Sequence, residues 1–221
     1  MPTTLYAVPV SNFCATVRLV LRLKEVAYDE KPPPDGYGSA AYKAVVPTGT
    51  VPGLVDGDVV LSESSVIVEY LDARYPVPSL RPVRAPAERA RLRWLARLHD
   101  GRIEPPLRAL FGHVDPARRD PAVVEAEWRR LETRLAELAA AVAPAPFLAG
   151  DRLTLADVPY PATLLLGERM AAALGRELAL PPTLAAWWRH LRAQPPVAAM
   201  LADYAPAVDA WLDAERAEGG G

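Results

Sequence analysis

Residues 46–75 read VPTGTVPGLVDGDVVLSESSVIVEYLDARY. Thr50-Val51-Pro52 is an extended approach to a proline. Residues 53–61 then form two short apolar runs joined at Asp56-Gly57-Asp58, and Asp-Gly between such runs is a strong local hairpin signal. Ser62-Glu63-Ser64-Ser65 precedes Val66, Ile67, Tyr70 and Leu71, whose spacing predicts an amphipathic helix ending near Pro76. A sheet edge, an X-Pro bond and a helix N-terminus therefore converge within this one stretch. The unpaired N–H groups of such a terminus, with the helix dipole behind them, favour an anion.

On the N-terminal side, TLYAVPV at 4–10 reads as a strand. Ser11-Asn12-Phe13 is a polar turn, and Ser11 or Asn12 can cap a helix over 14–24 whose apolar positions include Val17, Val20, Leu21 and the stem of Lys24. Residues 26–30 read as a second strand, Pro32–Gly36 as a loop and Ala40–Ala44 as a short helix. The order is βαβαββα, a small α/β domain over 1–76. The proline-rich stretch 77–86 reads as a stiff linker. Beyond it strand signals nearly vanish, and 87–217 reads as all-helical. The helix opened by Pro86 should kink or break at Pro105-Pro106. Asp120-Pro121 is a cap and first-turn proline, and Val124, Trp128, Leu131, Leu135, Leu138 and Val142 define one buried face. Residues 154–174 read as a central helix with its first turns distorted by Pro159 and Pro161. Helices over 183–193 and around 197–217 follow. The tail Gly219–Gly221 is expected to be disordered.

The 221 residues are enough for one large or two small domains with an ample core. A net charge of −2 argues against nucleic acid as a dedicated partner. The single cysteine excludes an intramolecular disulfide and suits a reducing compartment. No basic-then-apolar leader is visible at the start, and no apolar run approaches the ~20 residues that span a bilayer, so a cytoplasmic protein without membrane contact is expected.

The order of motifs resembles the glutathione transferase superfamily. Its pattern is Asn-Pro-x-Gly-Lys-Val-Pro-x-Leu, a hairpin, then Glu-Ser. Here it reads Val46-Pro47-Thr48-Gly49-Thr50-Val51-Pro52-Gly53-Leu54, then Glu63-Ser64. Val46 stands where Asn is common, and Thr50 where Lys or Gln often helps hold the glycyl end of glutathione. Thr154 and Asp157 match the family's S/T-x-x-D box before the buried helix of its second domain, a structural feature. The resemblance implies an α/β thioredoxin-like N-terminal domain plus an all-α C-terminal domain. It implies a cis Val51-Pro52 bond that turns Val51 toward the cysteinyl part of glutathione. It also implies that Glu63 and Ser64 clamp the γ-glutamyl end, with Asp100 reaching across a homodimer to the α-amino group.

Ser11-Asn12-Phe13-Cys14 matches the Ser-x-x-Cys of the theta and delta classes, in which the serine hydroxyl faces the glutathione sulfur. A hydroxyl that donates to a thiolate lowers the thiol's pKa, and a helix N-terminus acts in the same direction. The surrounding motif favours this catalytic role over the plain alternative, in which Ser11 merely caps the helix. Cys14 reads either as a small buried hydrophobe or as the nucleophile of a thiol-transferase. The second substrate, a small apolar electrophile, would sit between the domains against Phe13, His99, Ile103, Leu107, Arg108 and Phe111, with Trp211 as a lid. Three scattered histidines offer no metal-ligand spacing. Two functions stay open: a dimeric detoxifying transferase that uses glutathione as co-substrate, or a non-catalytic interaction module that keeps the fold.

Overall fold

The computed structural model describes residues 2–82 and 85–218. Met1, Val83 and Arg84 (the latter two inside the expected linker) and the Gly219–Gly221 tail lie outside the described residues. The chain divides into two compact units, one ending at Leu80 and the other beginning at Arg81.

The first unit contains β1 (Thr3–Tyr6), α1 (Asn12–Leu23), β2 (Tyr28–Lys31), α2 (Ala40–Lys43), β3 (Gly53–Asp56), β4 (Val59–Ser62) and α3 (Ser64–Arg74). This is the order read from the sequence, with β1 ending earlier and β2 starting later than the apolar runs suggest. The four strands form one sheet in the order β2-β1-β3-β4. β1 and β2 run parallel, whereas β1–β3 and β3–β4 are antiparallel. The hairpin turns at Gly57, whose φ of 61° is a conformation that glycine reaches without steric cost. Leu5 and Leu54, register partners at the sheet centre, are fully buried together with Val17, Val20 and Leu21 of α1 and Ile67 and Leu71 of α3.

The unit runs past residue 76 because a buried ion pair holds its tail. Lys24 Nζ, at the end of α1, meets Asp72 Oδ1 of α3 at 2.7 Å and donates to the Pro78 carbonyl. The same carboxylate oxygen accepts the Leu80 N–H at 2.7 Å. Both side chains are almost wholly removed from solvent.

The second unit is helical: α4 (Pro86–Leu98), α5 (Glu104–Ala109), α6 (Pro121–Ala141), α7 (Tyr160–Ala173), α8 (Pro182–Arg192) and α9 (Pro195–Glu218). The break expected at Pro105-Pro106 is resolved differently. The chain stays helical but widens into a π-turn over His99–Ile103, where the Glu104 N–H reaches the His99 carbonyl. The prolines then occupy the first turn of α5, where a missing N–H costs least. At the central helix the distortion is as expected: residues 155–159 are turns, and regular α7 begins only at Tyr160, with Pro159 at its cap and Pro161 in its first turn. Asp120 caps α6 through the Ala122 and Val123 N–H groups, and Val124, Trp128, Leu131, Leu135 and Leu138 are its buried face. Asp157 is fully buried and accepts four bonds, from Leu148 N, Thr154 N, Thr154 Oγ1 and Trp187 Nε1. Among the described residues no helix is long and apolar enough to cross a membrane.

Candidate functional site

Strand register decides which segments meet. Tyr6 at the end of β1 is opposite Gly53 at the start of β3, and Gly53 is opposite Ser62 at the end of β4. Three connections therefore leave the sheet at one end. These are the loop from β1 to the Ser11 start of α1, the Thr50-Val51-Pro52 approach to β3, and the Glu63-Ser64 entry to α3. Residues far apart in sequence are gathered by short antiparallel pairings, whose spacing fixes them side by side.

Ser11 is the N-cap of α1, half-buried, and its Oγ accepts the Cys14 N–H at 3.2 Å. Capping uses an acceptor lone pair and leaves the hydroxyl proton free to donate, so the capping and thiolate-binding roles coexist on one side chain. Arg18 steadies the loop before it. Its guanidinium donates to the Val8 and Pro9 carbonyls at 3.3 and 3.4 Å and forks onto Glu30 at 2.7 and 2.9 Å. Cys14 is fully buried. Burial pushes its thiol pKa up, outweighing the Ser11 hydrogen bond and the backbone contact that lower it. A thiol held neutral inside the unit fits the small-hydrophobe reading, not a nucleophile. Phe13 is half-buried beside it.

The Val51-Pro52 bond is cis. Thr50 is exposed, its hydroxyl 3.0 Å from that of Thr48. Val51 is half-buried, and its main-chain N–H and carbonyl find no partner among the described residues.

The α3 N-terminus departs from an ordinary capped start. Glu63 is its N-cap residue but makes no side-chain capping bond, and its backbone sits at φ 68°, ψ 111°. A non-glycine residue at positive φ is costly and clusters at ligand-binding positions. Ser64 is buried, Glu63 exposed. The result is a helix terminus with N–H groups uncapped by side chains, a serine hydroxyl and an adjacent carboxylate, which together can hold a group carrying both a carboxylate and an amine.

Positions expected in the helical unit fare differently. His99 is fully buried, with Nε2 2.6 Å from Thr163 Oγ1, Nδ1 2.8 Å from Asp100 Oδ1 and its ring edge-on to Tyr160. Ile103 and Leu107 are buried too. All three are core positions of the helical unit in this structure, and apolar spacing on a helix marks its core face first. Asp100 has both oxygens engaged nearby, Oδ1 by His99 and Oδ2 by Arg97 at 3.2 Å. Arg108 is exposed and ion-paired with Glu104. Phe111 and Trp211 are half-buried, their rings 5.1 Å apart, and Trp211 Nε1 donates to Glu215 at 3.1 Å.

Two features of the site escape the sequence. The positive φ of Glu63 has no signature, since glutamate is not a residue that announces it. Tyr42 of α2, whose hydroxyl donates to the Thr50 carbonyl at 2.9 Å, sits in a helix too short for periodicity to rank its positions. The available signal is its place just ahead of the Val46–Leu54 motif.

Residues 5–80 match the family model described as "Glutathione S-transferase, N-terminal domain", and residues 102–195 match "Glutathione S-transferase, C-terminal domain". Glutathione S-transferase 3 of Zea mays is 32% identical over 210 residues, covering 88% of this chain and 90% of that protein. The theta class glutathione S-transferase of Xanthomonas axonopodis pv. citri, solved with glutathione bound, superposes with a TM-score of 0.73 at 33% identity, covering 89% of this chain and 96% of that one. A stringent starvation protein A homolog of Pasteurella multocida is 42% identical over 80 residues, but the match spans only 36% of this chain and 38% of that protein. With models matching both units and a relative of this identity matched over most of its length, the chain belongs to the glutathione S-transferase family.

Proposed function

We propose that the chain binds glutathione at the sheet end formed by Ser11, Thr50, Val51, Pro52, Glu63 and Ser64, and joins it through its sulfur to a small apolar electrophile. The observation that carries this is the α3 N-terminus, which no side chain caps, with Glu63 in a strained conformation beside it. Ser64 N–H and hydroxyl receive the γ-glutamyl carboxylate, and the Glu63 carboxylate meets the α-amino group. Val51 main-chain groups pair with the cysteinyl amide. The thiol is then delivered toward the α1 N-terminus, where the Ser11 hydroxyl donates to the sulfur and the helix dipole favours the thiolate. The thiolate attacks the electrophile, and a leaving group departs with the displaced electron pair or, in an addition, a proton is taken up from water. Proximity supplies most of the remaining acceleration. The protein works as a cytoplasmic homodimer in detoxification.

The test is the pH profile of glutathione conjugation to a chloronitroarene. Ser11→Ala should move the thiol's apparent pKa upward. At pH below that pKa the rate should fall about tenfold for each pH unit that it rises, as the thiolate fraction does. Cys14→Ala should keep most of the activity. Loss of activity in Cys14→Ala with an unchanged profile in Ser11→Ala would contradict the assignment.

A second reading, a non-catalytic interaction module, is favoured by one finding. A span of 80 residues is 42% identical to a stringent starvation protein A homolog, a higher identity over a shorter span than the chain shows to the maize transferase. A folded chain that binds glutathione but turns over no electrophile would support it.

A further inference from the structure

Resting on the glutathione reading above, we propose that Tyr42 is a positioning residue: its buried hydroxyl fixes the Thr50–Val51 peptide so that the Val51 N–H faces the ligand, and Gly53 exists to admit it. The Tyr42 side chain is fully buried, and its hydroxyl donates to the Thr50 carbonyl at 2.9 Å. That carbonyl and the Val51 N–H belong to one planar trans peptide, in which they point in opposite directions. A donor that holds the carbonyl inward therefore turns the N–H outward, where it has no partner among the described residues. The tyrosine is itself held from both ends. Its N–H is capped by Ser39 Oγ at 2.9 Å, and its ring packs on Tyr6 at a centroid distance of 5.5 Å.

Gly53 is part of the same arrangement. A Cβ there would lie 2.3 Å from the Tyr42 hydroxyl oxygen and 2.7 Å from Val46 Cγ2. The glycine is thus demanded by its neighbours, not by an unusual φ. Val46, the other neighbour of that Cβ position, has an apolar side chain that can hold no peptide in place. Here the polar contact to the turn comes from the residue one helical turn earlier. Burial pushes the Tyr42 phenol up to about 12, with the nearby Cys14 and Tyr6 adding to it, so the hydroxyl remains a donor throughout the physiological range.

The experiment measures glutathione affinity by calorimetry, and melting midpoint without ligand, for the full chain and for Tyr42→Phe, Gly53→Ala and the double variant. Binding is measured well below every midpoint, so that all four are folded. Tyr42→Phe keeps the ring and should raise the glutathione Kd about 3- to 10-fold, the worth of one hydrogen bond. Gly53→Ala should weaken binding comparably by expelling the hydroxyl. The double variant should lose less than the product of the two, because a phenylalanine ring has no oxygen for the added methyl group to meet. A merely structural role would lower the midpoint and leave Kd unchanged in the folded variants, and that result overturns the proposal while the glutathione reading stands. Failure of the unsubstituted chain to bind millimolar glutathione overturns both.

Discussion

At the scale of single residues, the candidate site is built from residues that each do two jobs. Ser11 caps α1 with a lone pair, which leaves its proton free for the proposed hydrogen bond to a sulfur. Glu63 provides the carbonyl that opens the α3 hydrogen-bond ladder, through Ile67 N–H, while its own backbone is held at positive φ. That conformation costs a non-glycine residue on the order of 1–3 kcal/mol, an expense that functional sites tolerate. Glu63→Gly should therefore raise the stability of the ligand-free chain by about 1 kcal/mol, read from urea unfolding, while glutathione affinity drops. Glu63→Ala should lose the same affinity without the gain in stability. If Glu63→Gly were no more stable than Glu63→Ala, the backbone would not be strained at this position.

At the scale of elements, what the sequence makes legible is whatever rests on a repeating pattern or a turn rule. Asp-Gly places the β3–β4 hairpin, Asp120-Pro121 places the start of α6, and the period of Val124, Trp128, Leu131, Leu135 and Leu138 places its buried face. The motif residues around Val51-Pro52 and Glu63-Ser64 are legible because the family pattern names them. Polar groups inside the core are not, because apolar periodicity does not say which charge meets which. The Lys24 stem fits an apolar position of α1, yet its partner Asp72 lies on α3 and leaves no trace in that pattern. The same holds for His99 with Thr163 and for Asp157 with Trp187, pairs that only tertiary packing brings together. The Pro105-Pro106 break is half-legible. Two missing N–H groups demand a local change, but widening the preceding turn meets that demand without ending the helix. The Lys24–Asp72 pair carries a prediction of its own. Lys24→Met leaves a buried carboxylate without its cation and should destabilise the chain by about 3–5 kcal/mol. Lys24→Met with Asp72→Leu should recover much of that, though not all, because Leu80 N–H then loses its acceptor. Thermal unfolding of the two variants checks the pair, and equal losses would show that the ion pair is not what holds the tail.

At the scale of the whole molecule, the two units have different work. The first carries the groups proposed to hold glutathione, and the helical one shows extensive internal pairing at the positions whose sequence suggested a substrate-facing role. The exposed Val66 of α3 and Trp94 of α4, with Glu69, Arg74, Arg89 and Arg93 on the same two helices, suit the two-fold dimer expected of the family. Sedimentation at micromolar concentration should give twice the chain mass. A monomer would remove Asp100 from any role across an interface, consistent with its engagement by His99 and Arg97. The central claim is that the sheet end formed by α1, the Val51-Pro52 turn and α3 is a glutathione site, and titration calorimetry with glutathione tests it most directly. The expected result is one saturable site per chain at or below millimolar concentration, weakened about tenfold or more in Glu63→Ala, where a charge-assisted contact is lost. A folded chain that takes up no glutathione at millimolar concentration, or a Glu63→Ala variant that binds it as tightly as the unsubstituted protein, would contradict that claim.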